Sequence, residues 1–287
     1  MSQPYYIRPY RSVLYVPASN ERAMEKARDL RVDAIIFDLE DAVTPSEKEA
    51  ARDKLAQVLL TDFGDRAKIV RINGLDTPWW EGDARAFAYK SGADAILLPK
   101  VNGPEDLDKI AAIIPDTHLW AMIETPDGVL HADEIASHDR LEAMVMGTND
   151  LLKDLNGRFR SDRQQIQYAL GKSVMAAKAR RRVIVDGVFN AFKDELGLRR
   201  ESEQGRDFGF DGKTIIHPAQ VDTVNEVFAP TAAEVDLAHR QINAFVEAEA
   251  QGKGVAVVDG QIVESLHVEM ARTILDRANA IAAMAAE

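Results

Sequence analysis

Cysteine is absent from this 287-residue chain, which removes three chemistries at once. No disulfide framework, thiol nucleophile or thiolate metal site can be built. Long apolar runs are missing too, and nothing approaches the roughly 18 consecutive apolar residues of a membrane-spanning helix. The opening stretch, MSQPYYIRPYRS, has no apolar core of the kind a secretory signal carries. The expected compartment is therefore cytoplasmic, with no membrane partner.

Positive charge is scarce. Against 47 Asp and Glu stand 35 Lys and Arg, a formal net charge of −12. Nucleic-acid binding relies on a clustered basic face that releases counterions. The two richest basic stretches here, ARRR (179–182) and LRR (198–200), are short and have acidic neighbours, so no nucleic-acid partner is expected. The global charge also opposes an anionic substrate at long range, so a site for one has to supply local cations or a metal. G-x-G-x-x-G, G-x-x-x-x-G-K-[ST] and G-x-S-x-G are all absent, which leaves nucleotide folds and serine-hydrolase elbows without support.

What the chain does contain is a recurring short apolar run that ends in a charged or reactive residue. The runs are SVLYVP (12–17), AIIFDLE (34–40), IVRIN (69–73), AILLPK (95–100), LWAMIE (119–124), MVMGTND (144–150), VIVDGV (183–188) and KTIIHP (213–218). Helical patterns separate them, and strands alternating with helices read as βαβ units on a parallel sheet. Eight units fit an α/β fold of the closed (β/α)₈ TIM-barrel type, which takes about 250 residues and places catalytic groups where strands end. The run endings are Glu40 with Asp41, Arg71, Lys100, Glu124, Asp150, Asp186 and His217, a carboxylate-rich ring with cationic or ionisable partners. Residues 1–230 are expected to form the barrel. Residues 231–287 are expected to add a helix, a hairpin with Asp259-Gly260 at its tip and a final helix. That tail would cap its own barrel or a neighbouring subunit.

Glu124 and Asp150 end consecutive runs, and adjacent strand ends lie about 5 Å apart. Two carboxylates so placed repel unless a proton or cation joins them. Mg²⁺ suits such a pair because it takes one or two carboxylates and keeps water and substrate in its other positions. The competing reading has one acid capping a helix and the other pairing with Lys100 or Arg71. Zinc is disfavoured, since no histidine cluster is available. Glu40 or Asp41 is open to three roles: a third metal ligand, a base holding a metal-bound water, or a partner for Lys100. Arg71 is the candidate carboxylate clamp, because a guanidinium grips carboxylates at two points; its alternative is a structural bridge to the DLED acids. His217 reads more readily as a structural group than as a base. Trp79 and Trp80 read as packing at a helix start.

The motifs RSVLYVPASNERAMEKA, DLEDAV, VRIN, LLPKV, MIET, MGTNDL, IVDGV and IHPAQV, in this order, resemble the citrate lyase β-subunit-like family, which includes malyl-CoA, citramalyl-CoA and citryl-CoA lyases. The match runs over nearly the whole chain. The resemblance implies a (β/α)₈ barrel assembled as a homotrimer or homohexamer, acting on acyl-CoA substrates with Mg²⁺, or Mn²⁺ as a substitute. It implies that Glu124 and Asp150 are the metal ligands and that Arg71 contacts the acyl group near the metal. Tyr15, Lys26 and the backbone at Ile216 and His217 match positions that line the CoA site. Arg22 stands close to Asn20, where some relatives carry arginine. In the tail, DGQIVES puts Glu264 where the family usually has an aspartate that serves as acid/base group. That longer carboxylate, with the EQGRDFGFDGKTIIHP stretch, resembles the (3S)-malyl-CoA thioesterase branch. The implied reaction is hydrolysis of malyl-CoA to malate and CoA. The alternatives are carbon–carbon cleavage of malyl-, citramalyl- or citryl-CoA, a citryl carrier-protein lyase subunit, or a scaffold without activity.

Overall fold

A computed structural model describes residues 8–88 and 91–285. Residues 1–7 of the opening stretch and position 286 of the expected final helix lie outside that set. Eight parallel strands follow in sequence order: β1 (Ser12–Pro17), β2 (Ala34–Asp38), β3 (Ala67–Arg71), β4 (Ala95–Leu98), β5 (His118–Ile123), β6 (Leu141–Met146), β7 (Val183–Asp186) and β8 (Gly212–Ile215). They close into a barrel, with β8 returning to β1 in a register that pairs Ser12 with Lys213 and Leu14 with Ile215. The expected (β/α)₈ barrel is the observed fold.

Because side chains alternate along a strand, the apolar runs divide between two cores. Ala34 and Ile36 of β2, Ala67 and Ile69 of β3 and Val183 and Val185 of β7 fill the barrel. Ile35, Phe37, Val70 and Ile184 instead pack outward under the helices. The register between β5 and β6 slips between Leu119 and Trp120. That slip lets Glu142, a buried acid, accept from the Trp120 indole at 2.9 Å and the Tyr10 hydroxyl at 3.2 Å.

Alternation also corrects the expected ring of acids. With Val183 and Val185 facing in, Asp186 faces out, into a buried ion cluster between the sheet and the helix Glu195–Phe208. Arg163 Nη1 reaches both Asp186 oxygens at 2.8 Å, and Lys213 Nζ bridges Asp186 at 3.1 Å and Glu201 at 2.7 Å. Burial opposes the ionised form of Asp186, yet Lys213 and Arg163 outweigh it and hold the carboxyl below its ordinary pKa. Gly205 is glycine for a packing reason, since a Cβ there would stand 2.7 Å from Asp186 Oδ2.

The contacts of Tyr10–Phe228 form one compact unit, and the chain from Ala229 on belongs to a second. In the latter, a Thr231–Glu234 capping box starts the helix Ala232–Ala250. The hairpin β9 (Ala256–Val258) and β10 (Gln261–Val263) follows, then the helix Ser265–Ala285. Asp259 and Gly260 both have positive φ, 50° and 78°, as a two-residue type I′ turn demands. Phe245, Ala248, Val263 and Val268 give this unit a small core of its own. Among the described residues, no helix is long and apolar enough to cross a membrane.

Lys213 is fully buried beneath two acids. Replacing it by methionine strands charge that has no access to water, so Lys213→Met is expected to lower stability by about 3–5 kcal/mol. Equilibrium urea unfolding checks this, and a loss under about 1 kcal/mol would mean that Arg163 alone satisfies both acids.

Candidate active site

All eight strands point their C-terminal ends the same way, and at that end lies a cavity of about 350 Å³. Tyr15, Asp41, Arg71, Glu124, Asp150 and Ile216 all line it. Strand pairing builds its centre. Asp38 and Arg71 end β2 and β3 as register partners, so the acid and the guanidinium meet as cross-strand neighbours.

The contact is two-pronged, with Arg71 Nε donating to Asp38 Oδ1 and Nη2 to Oδ2, each at 2.7 Å. The guanidinium edge that would clamp a substrate carboxylate is therefore engaged by Asp38. Nη1 remains toward the cavity, 3.0 Å from Glu40 Oε2 and 3.4 Å from Asp41 Oδ2. Tyr15 lies under the guanidinium, its ring centroid 5.0 Å from Arg71 Cζ. Burial opposes Arg71's charge, but Asp38 more than compensates and raises its pKa well above the ordinary value. Asp38 in turn is held below the usual carboxylate range: burial works against its charge and Arg71 outweighs burial.

Glu124 follows β5 immediately and is treated differently. Lys100, held at φ 53°, donates its backbone N–H to Glu124 Oε1 at 2.8 Å and its ammonium to Glu40 Oε1 at 2.9 Å. Glu124 Oε2 is buried with no hydrogen-bond partner. Burial, with the nearby charge of Glu40, pushes the Glu124 carboxyl up to about 7. Gly147, just past β6, is a cradle for this side chain, because a Cβ there would overlap Glu124 Cβ and Oε2. Asp150 lies in the first turn of the helix Thr148–Asp154 rather than at a strand end. Gly147 ends the extended run before it. The charge of Asp150 adds to the repulsion felt by Glu124.

An unsatisfied buried carboxylate oxygen with a second carboxylate in the same cavity is a donor set that fits a hard divalent cation. No group of three or more His, Asp or Glu suited to a metal occurs among the described residues. A two-carboxylate site with room for water and substrate is what the chain offers, and that is the way Mg²⁺ is usually held. Of the three roles open to Glu40, the geometry displays the ion pair with Lys100.

The remaining sequence candidates are placed unequally. Ile216 borders the cavity, and its N–H donates to Gln220. His217 does not border it. Its ring caps the turn at Ala219 and stacks on Phe192 with centroids 4.4 Å apart, as a structural group would. Arg22 and Lys26 are exposed on the helix Glu21–Ala27, outside the cavity lining. Glu264 belongs to the C-terminal unit, where its N–H donates to His267 Nδ1 at 3.0 Å. The sequence left a bridge from Arg71 to the DLED acids open without choosing among them, and the structure selects Asp38 for Nε and Nη2. Sequence reasoning passed over Met122, whose sulfur lies 3.6 Å from Arg71 Nη1, and no sequence signal marks that residue.

A closed parallel barrel with acids and a guanidinium around a cavity at the C-terminal ends of its strands defines the class of (β/α)₈ barrel enzymes. The chain belongs to the HpcH/HpaI aldolase/citrate lyase family, matched over residues 11–218. It is 60% identical over 279 residues to a (3S)-malyl-CoA thioesterase of Cereibacter sphaeroides, covering 97% of this chain and 98% of that protein. It is 37% identical over 283 residues to the citrate lyase subunit beta of Leuconostoc mesenteroides subsp. cremoris, covering 94% and 93%. Among solved structures, protein CitE from Mycobacterium tuberculosis, in complex with magnesium, acetoacetate and coenzyme A, superposes with a TM-score of 0.80. That structure is 29% identical and covers 96% of this chain and 100% of its own.

Gly147→Ala places a methyl group on the Glu124 side chain. Overpacking of this kind costs about 1–3 kcal/mol, and thermal or urea unfolding should register it. Unchanged stability would show that Glu124 swings away freely and is not held in its cradle.

Proposed function

We propose that this chain is a Mg²⁺-dependent thioesterase that hydrolyses (3S)-malyl-CoA to malate and CoA. The observation that carries the reading is the partnerless Glu124 Oε2 sharing one cavity with Asp150 and Arg71. The 60% identity to a malyl-CoA thioesterase over nearly the full length favours hydrolysis over carbon–carbon cleavage, and the magnesium and coenzyme A bound to a structural neighbour support both ligands.

Glu124 and Asp150 would hold the ion, which supplies Lewis-acid polarisation of the substrate's oxygens. Arg71, fixed by Asp38, presents Nη1 as a directed donor beside the acyl group, and Tyr15 walls the cavity beneath it. Exposed Lys26, a compact point charge, and Arg22, a two-pronged fork, suit the phosphates of CoA. Water adds to the thioester carbonyl, the carbon–sulfur bond breaks, and the proton leaves the water for the departing thiolate. Glu264, from the C-terminal unit of its own or a neighbouring subunit in a trimer or hexamer, serves as the base and then the acid for that transfer. In this division of labour, residues 1–230 bind and residues 231–287 deliver the acid/base group.

Incubation with malyl-CoA and Mg²⁺, with free thiol and glyoxylate measured separately, tests the reading. Thiol without glyoxylate is expected. Equal release of glyoxylate and acetyl-CoA would make the chain a lyase, the activity named for its 32%-identical relative in Rattus norvegicus, citramalyl-CoA lyase.

Two sets of variants test the roles. Glu124→Ala and Asp150→Ala are each expected to abolish Mg²⁺-dependent turnover with the fold intact by circular dichroism. Full activity of either, or of the unaltered protein in excess chelator, would remove the metal from the scheme. Glu264→Gln keeps the side chain's shape and loses only its titration. Turnover should fall about 10²-fold or more, the usual contribution of a positioned acid or base, with KM little changed. Native kcat in that variant would exclude Glu264 from the reaction.

A further inference from the structure

Beside the catalytic cavity lies a second and larger one, of about 710 Å³. Leu152, Phe159, Ile166 and Phe189 give it an apolar wall, Asp162, Asp194, Arg200 and Glu201 also line it, and neither Arg71 nor Glu124 reaches it. Thr148, Asn149, Val188 and Asn190 line both cavities, so the partition between them is made of two short segments. One is the start of the helix Thr148–Asp154, and the other is the turn that leaves β7.

The base of this partition is tight. Gly187 approaches Thr148 so closely that a Cβ would stand 2.7 Å from its methyl carbon. Behind it, Lys213 Nζ holds the Gly187 carbonyl at 2.6 Å and Gln220 Nε2 holds that of Phe189 at 2.8 Å. The rim is closed by side chains alone. Asn190 Nδ2 donates to Asn149 Oδ1 at 2.9 Å, and Asn149 Nδ2 returns a bond to Asn190 Oδ1 at 3.3 Å. Neither the catalytic groups nor the barrel core accounts for this reciprocal amide pair, which is exposed. It stands one residue from Asp150.

We infer that the Asn149–Asn190 pair is a specificity wall: it closes the catalytic cavity against the larger apolar one and so restricts the acyl group to a small, unbranched hydroxyacid. The inference rests on the reading of the site as one for a hydroxyacyl-CoA ester. With either amide cut back to alanine, the partition loses a side and an alkyl branch on the acyl chain gains an apolar space to enter. Selection of this kind is modest per methylene, about 10- to 200-fold for a hydrophobic pocket.

The experiment compares kcat/KM for malyl-CoA with that for malyl-CoA esters carrying methyl, ethyl and propyl groups on the carbon next to the thioester. Free thiol and released 2-oxoacid are both scored, so a hydrolase and a lyase are read equally. Inactivity of the unaltered protein on every ester would sink the proposed function, whereas the ratios among esters judge the wall. Asn190→Ala is expected to raise the propyl-to-unsubstituted ratio at least tenfold, chiefly through KM. Asn149→Ala should do the same, and the double variant should add little, because each single change already breaks the pair. A ratio within twofold of native in both single variants, with native circular dichroism, would overturn the inference. So would single effects that multiply independently in the double variant.

Discussion

An excess of buried negative charge at the barrel mouth governs the arrangement of everything near it. Asp38, Glu40 and Glu124 are all buried there; Arg71 is buried among them, Lys48 is buried against the Leu39 and Glu40 carbonyls, and Lys100 reaches in from a half-exposed position. Taking ions out of water costs several kcal/mol each unless geometry and hydrogen bonds compensate. Arg71 compensates Asp38 through two hydrogen bonds and stands 3.0 Å from Glu40 Oε2, while Lys100 bonds the other Glu40 oxygen. Glu124 receives a single backbone N–H. The residual deficit is therefore concentrated on one carboxylate oxygen, and the mouth is shaped to receive a positive charge there.

Barrel geometry, rather than local propensity, creates this concentration. A parallel strand pair puts Asp38 opposite Arg71 because their register is fixed four residues earlier, where Ala34 meets Ala67 deep in the core. Slipping one of these strands by one residue would send its charged group to the helix side and separate the pair. The apolar lining formed by Ile36, Ile69, Leu97 and Met122 is thus a positioning device for charges as well as a source of stability.

The same constraint explains what was legible in the sequence. Run endings located the mouth because strands of a parallel barrel all terminate at one end, and Asp259-Gly260 located the hairpin because few residue pairs accept two positive φ values. Arg71 appeared with two roles open, a substrate clamp or a bridge to the DLED acids. The second describes its Nε and Nη2, and only a register could choose Asp38 over Glu40. Asp186 was misplaced because VIVD is apolar on both faces, as strands buried on both sides are. Without alternation there is no parity to read. Asp150 entered as a strand end since MVMGTND looks continuous, whereas Gly147 interrupts the strand and Thr148 opens a helix. His217 was read as structural, and its cap and its stack on Phe192 supply the partners.

A chain with net charge −12 that takes an anionic substrate has to defeat its own long-range field. At an ionic strength of 0.15 M that field is screened within about 8 Å, so the decision falls to charges at contact distance. Arg71 alone does not supply the excess, because Asp38 has neutralised it. A divalent ion between Glu124 and Asp150 would reverse the local sign while leaving the surface acidic. The anionic surplus that burial makes costly would then be the feature that draws a cation to the mouth. A barrel that paired Glu124 internally would be more stable and would have nothing left to hold the ion.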